Sequence, residues 1–399
     1  MAKKGTFGEF FENLLESPPE NEIADSFVDA FGDLADPRGT RNRLYPLHEI
    51  LFAALVGALI GAESWTDVEI FAHTHLELMR KYFPYKNGAP SDDTFRRVFR
   101  ALDPNVFQEM FRRWIISVLP QLESCLIAID GKTSRGSVDN DAPDSRALHM
   151  VSAYATEANI VLAQEKVAGK SNEIRAIPKL IDWLDLKGAT VTIDAMGCQY
   201  EIANKILDKG GQYILALKGN QESIHDDVIL AFRSENMPGS ISICEDFDKG
   251  HGRIETRKCT VLTNIEWLGE LHPKWKPIKA IVHLESIREM RGKTTNETRY
   301  YVASKEYVAK EMLKMIRSHW SIENSVHWIL DMSFGEDQSR IRKENAPQNM
   351  AIIRHMALNL LKMTKKNNDK LKRVSIKGLR KMAGWNPSIL NCILSQNFS

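Results

Sequence analysis

The stretch Cys125–Lys132, which reads Cys-Leu-Ile-Ala-Ile-Asp-Gly-Lys, decides the fold of the chain. Five apolar residues that run into an acid and a glycine predict a fully buried strand that ends in a turn. A carboxylate at the end of such a strand is costly to desolvate, and a divalent cation is a suitable partner to offset that cost. The acid, Asp130, is therefore a candidate metal ligand.

A second stretch, at 189–197, has the same design. It reads Ala-Thr-Val-Thr-Ile-Asp-Ala-Met-Gly, so a β-branched run leads to Asp194 and a turn of small residues. A single acid after a strand is usually a turn or cap residue. Two acids of this kind, Asp130 and Asp194, favour a shared site, because two-metal phosphoryl transfer needs carboxylates that hold a pair of cations.

A third acid, Glu323, lies in a predicted helix, Arg317–Leu330, that is rich in Trp and His. We expect Glu323 in the middle of this helix. Trp320 and Trp328 flank it, and we expect them to pack the helix against a sheet and to fix its rotation.

Composition bounds the class of protein. With 399 residues, of which 43% are hydrophobic, we expect a folded, soluble protein of two or three domains. The net charge of +1 favours no class of partner.

The five cysteines lack close pairing, which argues against disulfides and zinc sites and suits a reducing cytoplasm. The longest apolar run, Ile50–Ala62, predicts a buried core helix and no membrane association, because a span needs about 20 residues.

The region that begins at Cys125 alternates strands and helices in the order strand, hairpin, helix, strand, helix, strand. The elements predicted after the first strand are His149–Thr156, Ile160–Val167, Asn172–Leu186, Asp194's strand, Tyr200–Lys209, Gln212–Leu217 and Gln221–Phe232. This order is that of a ribonuclease-H-like α/β core. Because the first and fourth strands of that fold are adjacent, we expect Asp130 and Asp194 to be neighbours.

The rest of the chain predicts further regions around this core. An all-helical N-terminal domain precedes it, a β-rich insertion with little helical periodicity interrupts it, and a basic tail follows it. The predicted boundaries are 1–120 for the helical domain, 121–236 for the first part of the core, 237–307 for the insertion, 308–361 for the end of the core and 362–399 for the tail.

Two basic regions of the sequence suggest contacts with nucleic acid. Pro90–Thr94 is a strong helix start, and Arg96 and Arg97 follow it on a helix that could lie on DNA phosphates as half of a helix-turn-helix. The tail has nine basic residues and one acid between Lys362 and Lys381. Each of these regions is either a DNA contact or an ordinary solvated surface.

Several motifs together resemble one known family. They are Ala128–Lys132, Lys170–Glu173, Thr192–Gln199, Leu215–Gln221, Gly250–Arg257, Arg317–Asn324 and Phe334–Asp337. In this combination the chain closely resembles the insertion-sequence transposases of the ISAs-one type, which include the H-repeat-associated proteins. The resemblance runs from about Phe31 to Leu361.

The resemblance implies a DDE transposase with a ribonuclease-H-like core. Its catalytic and metal-binding triad would be Asp130, Asp194 and Glu323, with Mg²⁺ as the cofactor and Mn²⁺ as a possible substitute. Its partner would be double-stranded DNA, both the inverted-repeat ends of the element and the target. Joining two ends implies a dimer in the active complex, and the expected location is the cytoplasm, with the nucleoid.

The chain departs from related cut-and-paste transposases at three positions. Where those proteins carry Tyr, Arg and Lys around the catalytic Glu, this chain carries Ile316, His319 and Leu330. Arg317, His319 or Arg340 would then hold the terminal phosphate.

Other candidate DNA contacts follow the predicted strands. Lys132 and Arg135 come just after Asp130, and Lys218 and Asn220 come after the strand Gln212–Leu217.

Two other functions stay open. A ribonuclease-H-like nuclease would cut DNA without joining it, but the helical domain and the β-rich insertion favour a protein that recognises and pairs specific ends. A decayed or domesticated DNA-binding relic would lack chemistry, and the intact acids argue against it.

Overall fold

The computed structural model describes residues 20–41, 43–118, 125–142, 145–168, 172–234, 239–250, 252–275 and 277–397. Lys170, which opens one of the motifs, and the first 19 residues of the predicted helical domain lie outside the described residues. The chain forms two compact units. One comprises 1–120, 133–148 and 326–399, and the other comprises 121–132 and 149–325.

The described helices and strands are as follows. The helices are α1 (Glu20–Phe31), α2 (Leu47–Ile60), α3 (Trp65–Thr74), α4 (Leu76–Met79), α5 (Asp92–Ala101), α6 (Pro104–Val118), α7 (Glu173–Asp182), α8 (Tyr200–Asp208), α9 (Glu222–Arg233), α10 (Glu266–Leu271), α11 (Ala309–His319), α12 (Trp328–Phe334), α13 (Ala346–Asn367), α14 (Ile376–Trp385) and α15 (Pro387–Leu394). The strands are β1 (Leu126–Ser134), β2 (Leu148–Ala155), β3 (Ile160–Lys166), β4 (Thr190–Ile193), β5 (Gln212–Leu217), β6 (Ser240–Gly250), β7 (Arg253–Thr263), β8 (Ala280–Met290) and β9 (Lys293–Ala303).

A nine-stranded mixed sheet dominates the second unit, in the order β3-β2-β1-β4-β5-β9-β8-β7-β6. The predicted hairpin is confirmed as β2 and β3, which pair antiparallel. Strand β4 pairs parallel with β1, and Ile193 lies opposite Ile129. Asp130 follows Ile129 and Asp194 follows Ile193, so the register places the two acids side by side.

One strand prediction needs correction. Strand β1 does not end in a turn after Asp130 but continues to Ser134, because Lys132 and Thr133 keep the extended conformation beyond Gly131. The strands of the predicted insertion belong to the same sheet, because β9 pairs antiparallel with β5 and β6–β8 continue from it. The edge of β5 carries unpaired backbone groups that need partners, and the insertion supplies them.

Helix α11 packs on the outer part of this sheet. Its apolar side chains Met312, Leu313 and Ile316 join a buried cluster with residues of the neighbouring strands, and the strand members are Ile214, Cys259, Val261, Ala280, Val282, Leu284, Tyr301 and Ala303. This apolar contact fixes the course of α11, and with it the position of the residues that follow the helix.

The described part of the first unit is mostly helical. Helix α2 is buried along nearly all of its length, which confirms the core-helix prediction for the apolar run. Among the described helices, none is both long and apolar enough to cross a membrane alone, and only α2 with α3, bent by 99° from each other, reach the required length and composition as a pair. The predicted start of α5 is also confirmed, because the Ser91 hydroxyl caps the helix by accepting from the Thr94 N–H.

The basic segment after Leu361 is folded into helices rather than extended. Lys362 lies on α13, Arg380 lies on α14, and both side chains are buried. The Arg380 guanidinium donates to the carbonyl of Ala58 and lies over the ring of Phe334, so it holds the helices together. Only the exposed members of the run, Lys366, Lys370, Lys372, Arg373, Lys377 and Lys381, can form a charged surface.

Replacing Lys362 with Met should stabilise the protein at pH 7. Burial holds the pKa of Lys362 well below its usual range, so between that lowered pKa and about 10.4 the unfolded state binds a proton that the folded state does not. Stability therefore rises with pH through this window, and burying this lysine side chain costs roughly 1 kcal/mol or more at pH 7. Urea unfolding should show Lys362→Met more stable at pH 7, with a smaller difference near pH 10.

The matched control is Lys366→Met, on the same helix but exposed, which should leave the free energy of unfolding unchanged. A Lys362→Met variant that is less stable than the wild type at both pH values would show that the buried lysine side chain stabilises the fold.

Candidate active site

The site is built around the two acids that the sheet register places side by side. Oxygens of Asp130 and Glu323 lie within 4.8 Å of each other. Asp194 stands on the neighbouring strand end, next to Asp130. In the described part of the chain, no Asp194 oxygen lies within this distance of the ligand oxygens of both Asp130 and Glu323. The structure thus brings two of the three predicted acids together and places the third beside them.

Glu323 reaches the sheet because the end of α11 is attached to β4. The His319 Nδ1 atom lies 3.0 Å from the Thr192 hydroxyl oxygen. Thr192 precedes Asp194 by two positions, so both side chains leave the strand on the same face. Four residues after this contact, Glu323 opens a π-helical turn, Glu323–His327.

The prediction that Glu323 lies in mid-helix was therefore wrong. The α-helix ends at His319, and the wider π turn begins at Glu323 before α12 continues. Turns with this i to i+5 hydrogen bonding are rare and are frequent at functional sites.

The two tryptophans are only partly covered, since Trp320 is 48% exposed and Trp328 is 57% exposed. The apolar side chains of α11 make the buried contact between the helix and the sheet. The ring of Trp320 contacts the guanidinium of Arg299, whose Cζ lies 4.6 Å from the ring centroid, which is a cation–π geometry.

Asp194 is held by its own turn. Its Oδ1 accepts hydrogen bonds from the N–H groups of Met196, at 3.1 Å, and Gly197, at 3.3 Å. Burial raises the pKa of Asp194, and the negative charge of Glu173 raises it further, while the bond from Gly197 and the charge of Lys218 act in the opposite direction. The ionised form is therefore disfavoured here, as expected for a carboxylate that lies among other acids and that a cation would stabilise.

These side chains fit a divalent cation by their chemistry. Asp130, Asp194 and Glu323 offer only carboxylate oxygens, which are the donors that hard ions such as Mg²⁺ and Mn²⁺ prefer.

A cavity of about 110 Å³ opens beside Asp194. Its polar lining includes Lys218 and His319, two predicted DNA contacts, and also Arg299 and Tyr301 from β9. The sequence prediction missed the last two. The two-residue alternation of β9 indicates that Arg299 and Tyr301 share one face of the strand. Only the pairing of β9 with β5 places that face at the cavity.

Two other predicted DNA contacts have partners within the protein. The Arg317 guanidinium binds Asp246, at 2.6 Å, and Asp248, at 3.2 Å. Strand β6 runs from Ser240 to Gly250, and its second half carries the two acids. The Asn220 side chain donates to the carbonyl of Ala195, at 2.8 Å, so it supports the turn of Asp194.

The remaining predicted contacts lie at or near the surface. Lys132 is half-buried on β1, on the same face as Asp130 because two positions separate them. The Arg135 side chain is 84% exposed. Arg96 and Arg97 are exposed on α5 and pair with Asp92 and Asp93, four positions earlier on the same helix.

Comparison with known proteins decides the family. Residues 121–360, which include all three acids, match the family model described as "Transposase DDE domain". Residues 28–115 match the model described as "DDE_Tnp_1-associated". The chain belongs to the DDE transposase family.

Full-length relatives of this DDE family member agree with that assignment. One is "Putative transposase YncI" of Escherichia coli O157:H7, 40% identical over 87% of this chain and 90% of the relative. Another is "H repeat-associated putative transposase YhhI" of Escherichia coli strain K12, 35% identical over 91% of this chain and 96% of the relative. The resemblance drawn from the motifs is therefore confirmed.

Among solved structures, a cryo-EM structure of the piggyBac transposase synaptic complex with hairpin DNA aligns with 96% of this chain and 80% of that chain. The TM-score is 0.42 and the sequence identity is 10%, so this likeness supports no conclusion about the chain.

The motif Phe334–Asp337 has a structural role in this DDE family member. Gly335 ends α12 in the left-handed conformation, with φ of 61°, which favours glycine. Glu336 is buried beside the Arg354 guanidinium, 3.7 Å away. Asp337 accepts a 3.0 Å hydrogen bond from the backbone N–H of Arg135. Asp337 thus fixes a loop.

Asp194→Asn should raise the melting temperature of the metal-free protein at pH 7. Because the pKa of Asp194 is raised in the folded state, its contribution to stability is complete below the unfolded pKa of about 3.9 and is lost as the pH rises above it. Asparagine keeps the turn acceptor without this loss. Scanning calorimetry should therefore show a gain at pH 7 that disappears near pH 3.

Asp226→Asn is the control, because Asp226 is an exposed acid on α9 and its replacement should not change the melting temperature at either pH. A lower melting temperature for Asp194→Asn at pH 7 would contradict the expectation.

Proposed function

We propose that this protein is a DDE transposase that cleaves DNA at transposon ends and joins the freed ends to target DNA. The observation that carries the proposal is the approach of Asp130 and Glu323 to within 4.8 Å, with Asp194 adjacent on the paired strand. These acids come from three separate parts of the chain, and all three lie within the matched DDE domain.

We also propose that β1–β5 with α7 and α8 form a ribonuclease-H-like core. The order β3-β2-β1-β4-β5, an antiparallel hairpin followed by parallel strands, supports it. In that arrangement the acids that follow Ile129 and Ile193 lie at the same level of the sheet, since β1 and β4 are parallel.

In the proposed site, Asp130, Asp194 and Glu323 hold Mg²⁺, or Mn²⁺ in its place. When bound, the cations would stabilise the charge on the attacking and leaving oxygens during an in-line displacement at phosphorus. Asp130 and Asp194 are rigidly placed by the sheet. Glu323 is placed by α11 and the contact between His319 and Thr192. The protein's own contribution is to orient these three carboxylates.

The proposed DNA contacts lie around these acids. Lys218, His319 and Arg299 line the cavity beside Asp194, where they can bind backbone phosphates. The half-buried Lys132, on the same face of β1 as Asp130, extends this set. The exposed Arg135, Arg96 and Arg97 are candidates for separate contacts. Arg317 contributes less, because its charge is already neutralised by two acids. Because two ends must be joined, we propose that two copies act together on DNA.

Neutralising any one of the three acids should abolish cleavage in the presence of Mg²⁺. We expect Asp130→Asn, Asp194→Asn and Glu323→Gln each to lower the cleavage rate by several orders of magnitude, because cation binding is lost while phosphate contacts remain. The measurement is a cleavage and strand-transfer assay on linear DNA that carries the element's own ends, with end binding followed by gel shift.

Asp337→Asn is the matched control. Asparagine can still accept the bond from the Arg135 N–H, so this variant should cleave at close to the wild-type rate. Cleavage at the wild-type rate by Glu323→Gln would remove Glu323 from the site. Cleavage without any joined product would favour a nuclease over a transposase.

Lys218→Gln should weaken binding to any DNA sequence and reduce its dependence on salt. One lost phosphate contact should lower the slope of log affinity against log salt by about 0.9. The matched control is Lys187→Gln, an exposed lysine before the start of β4, at the opposite end of the strand from Asp194. Equal slopes for the wild type and Lys218→Gln would exclude Lys218 from the DNA contact.

A further inference from the structure

One motif of the sequence has no role in the proposed chemistry. Glu173 closes the motif Lys170–Glu173 and is the first residue of α7. Its carboxylate lies 2.7 Å from Nε2 of His149, on β2, and both side chains are mostly covered, with 14% and 27% of their surface exposed. The ring N–H donates to the carboxylate, so the pair joins the start of a helix to the strand beside β1.

The pair rests directly on the backbone of Gly131. A Cβ at position 131 would lie 2.2 Å from Oε1 of Glu173 and 2.8 Å from Nε2 of His149, which is closer than real atoms approach. Any side chain at this position would displace the pair. Glycine at position 131 therefore leaves the space that the two side chains occupy.

Gly131 in turn holds Asp130. Its backbone N–H donates to Oδ1 of Asp130, at 2.9 Å. A change in the position of the Gly131 peptide would therefore change the orientation of the Asp130 carboxylate. The contacts run from His149 to Glu173, from both to Gly131, and from Gly131 to Asp130.

We propose that His149 and Glu173 are positioning residues, an inference that rests on the proposed function. The pair contacts Gly131 and so holds Asp130 in the orientation that binds the cation. The role belongs to the hydrogen-bonded pair as a unit and not to the charge of Glu173. Loss of a residue that orients a metal ligand typically lowers metal affinity by about 10- to 100-fold.

The test measures Mn²⁺ binding to the full-length protein without DNA, by electron paramagnetic resonance of the free ion. We expect Glu173→Ala and His149→Ala each to weaken Mn²⁺ binding at least about 10-fold. The double variant should be no weaker than either single variant, because the two residues act as one unit. Glu173→Gln keeps the acceptor for the His149 N–H and should bind within about threefold of the wild type.

Three outcomes would overturn the inference. Binding of Mn²⁺ by Glu173→Gln that is as weak as binding by Glu173→Ala would assign the effect to charge or direct ligation. Additive losses of Mn²⁺ affinity in the double variant would show that the two residues act independently. Unchanged Mn²⁺ binding by both alanine variants would show that neither residue positions Asp130. If an alanine variant does not fold, Gly131→Ala, which displaces the pair, replaces it and should show the same loss, and circular dichroism of the metal-free proteins verifies folding.

Asp130→Asn separates this inference from the proposed function. If Asp130→Asn binds Mn²⁺ as tightly as the wild type, the proposed cation site itself is wrong. If Asp130→Asn loses binding while Glu173→Ala and His149→Ala do not, the site stands and the positioning role fails.

Discussion

The parallel pairing of β1 with β4 is the constraint on which the rest of the site depends. Because Ile129 lies opposite Ile193, two carboxylates come to stand next to each other at the same level of the sheet. Burial raises the pKa of Asp194, and the negative charge of Glu173 raises it further, so the ionised carboxylate is costly at this position. The N–H groups of Met196 and Gly197 and the charge of Lys218 act in the opposite direction.

The outer part of the sheet matters because it determines where α11 lies. Strands β9, β8 and β7 provide the apolar surface on which α11 packs, and the helix then delivers Glu323 towards Asp130. The β-rich insertion thus extends the core sheet and contributes to the geometry of the site. It also brings Arg299 to the cavity beside Asp194, a position that its place in the sequence does not suggest.

Several elements could be predicted from the sequence because local patterns decide them. Strand β5 was predicted with the correct ends, and the hairpin of β2 and β3 was predicted from its alternation and its turn. The cap at Ser91 follows from the chemistry of helix N-termini. In each case the residues that decide the structure lie within a few positions of one another.

The sequence by itself determined that Asp130 and Asp194 come at the end of buried apolar runs and, through its motifs, which family the chain belongs to. The tertiary structure decided what those patterns could not contain. The π turn at Glu323, the burial of Lys362 and the pairing of Arg317 with Asp246 all depend on partners far away in the chain. A local pattern records hydrophobicity and turn chemistry, whereas sheet register and helix docking fix which distant side chains meet. For this reason the acids could be named from the sequence, but the contacts of His149 and Glu173 with Gly131 could not.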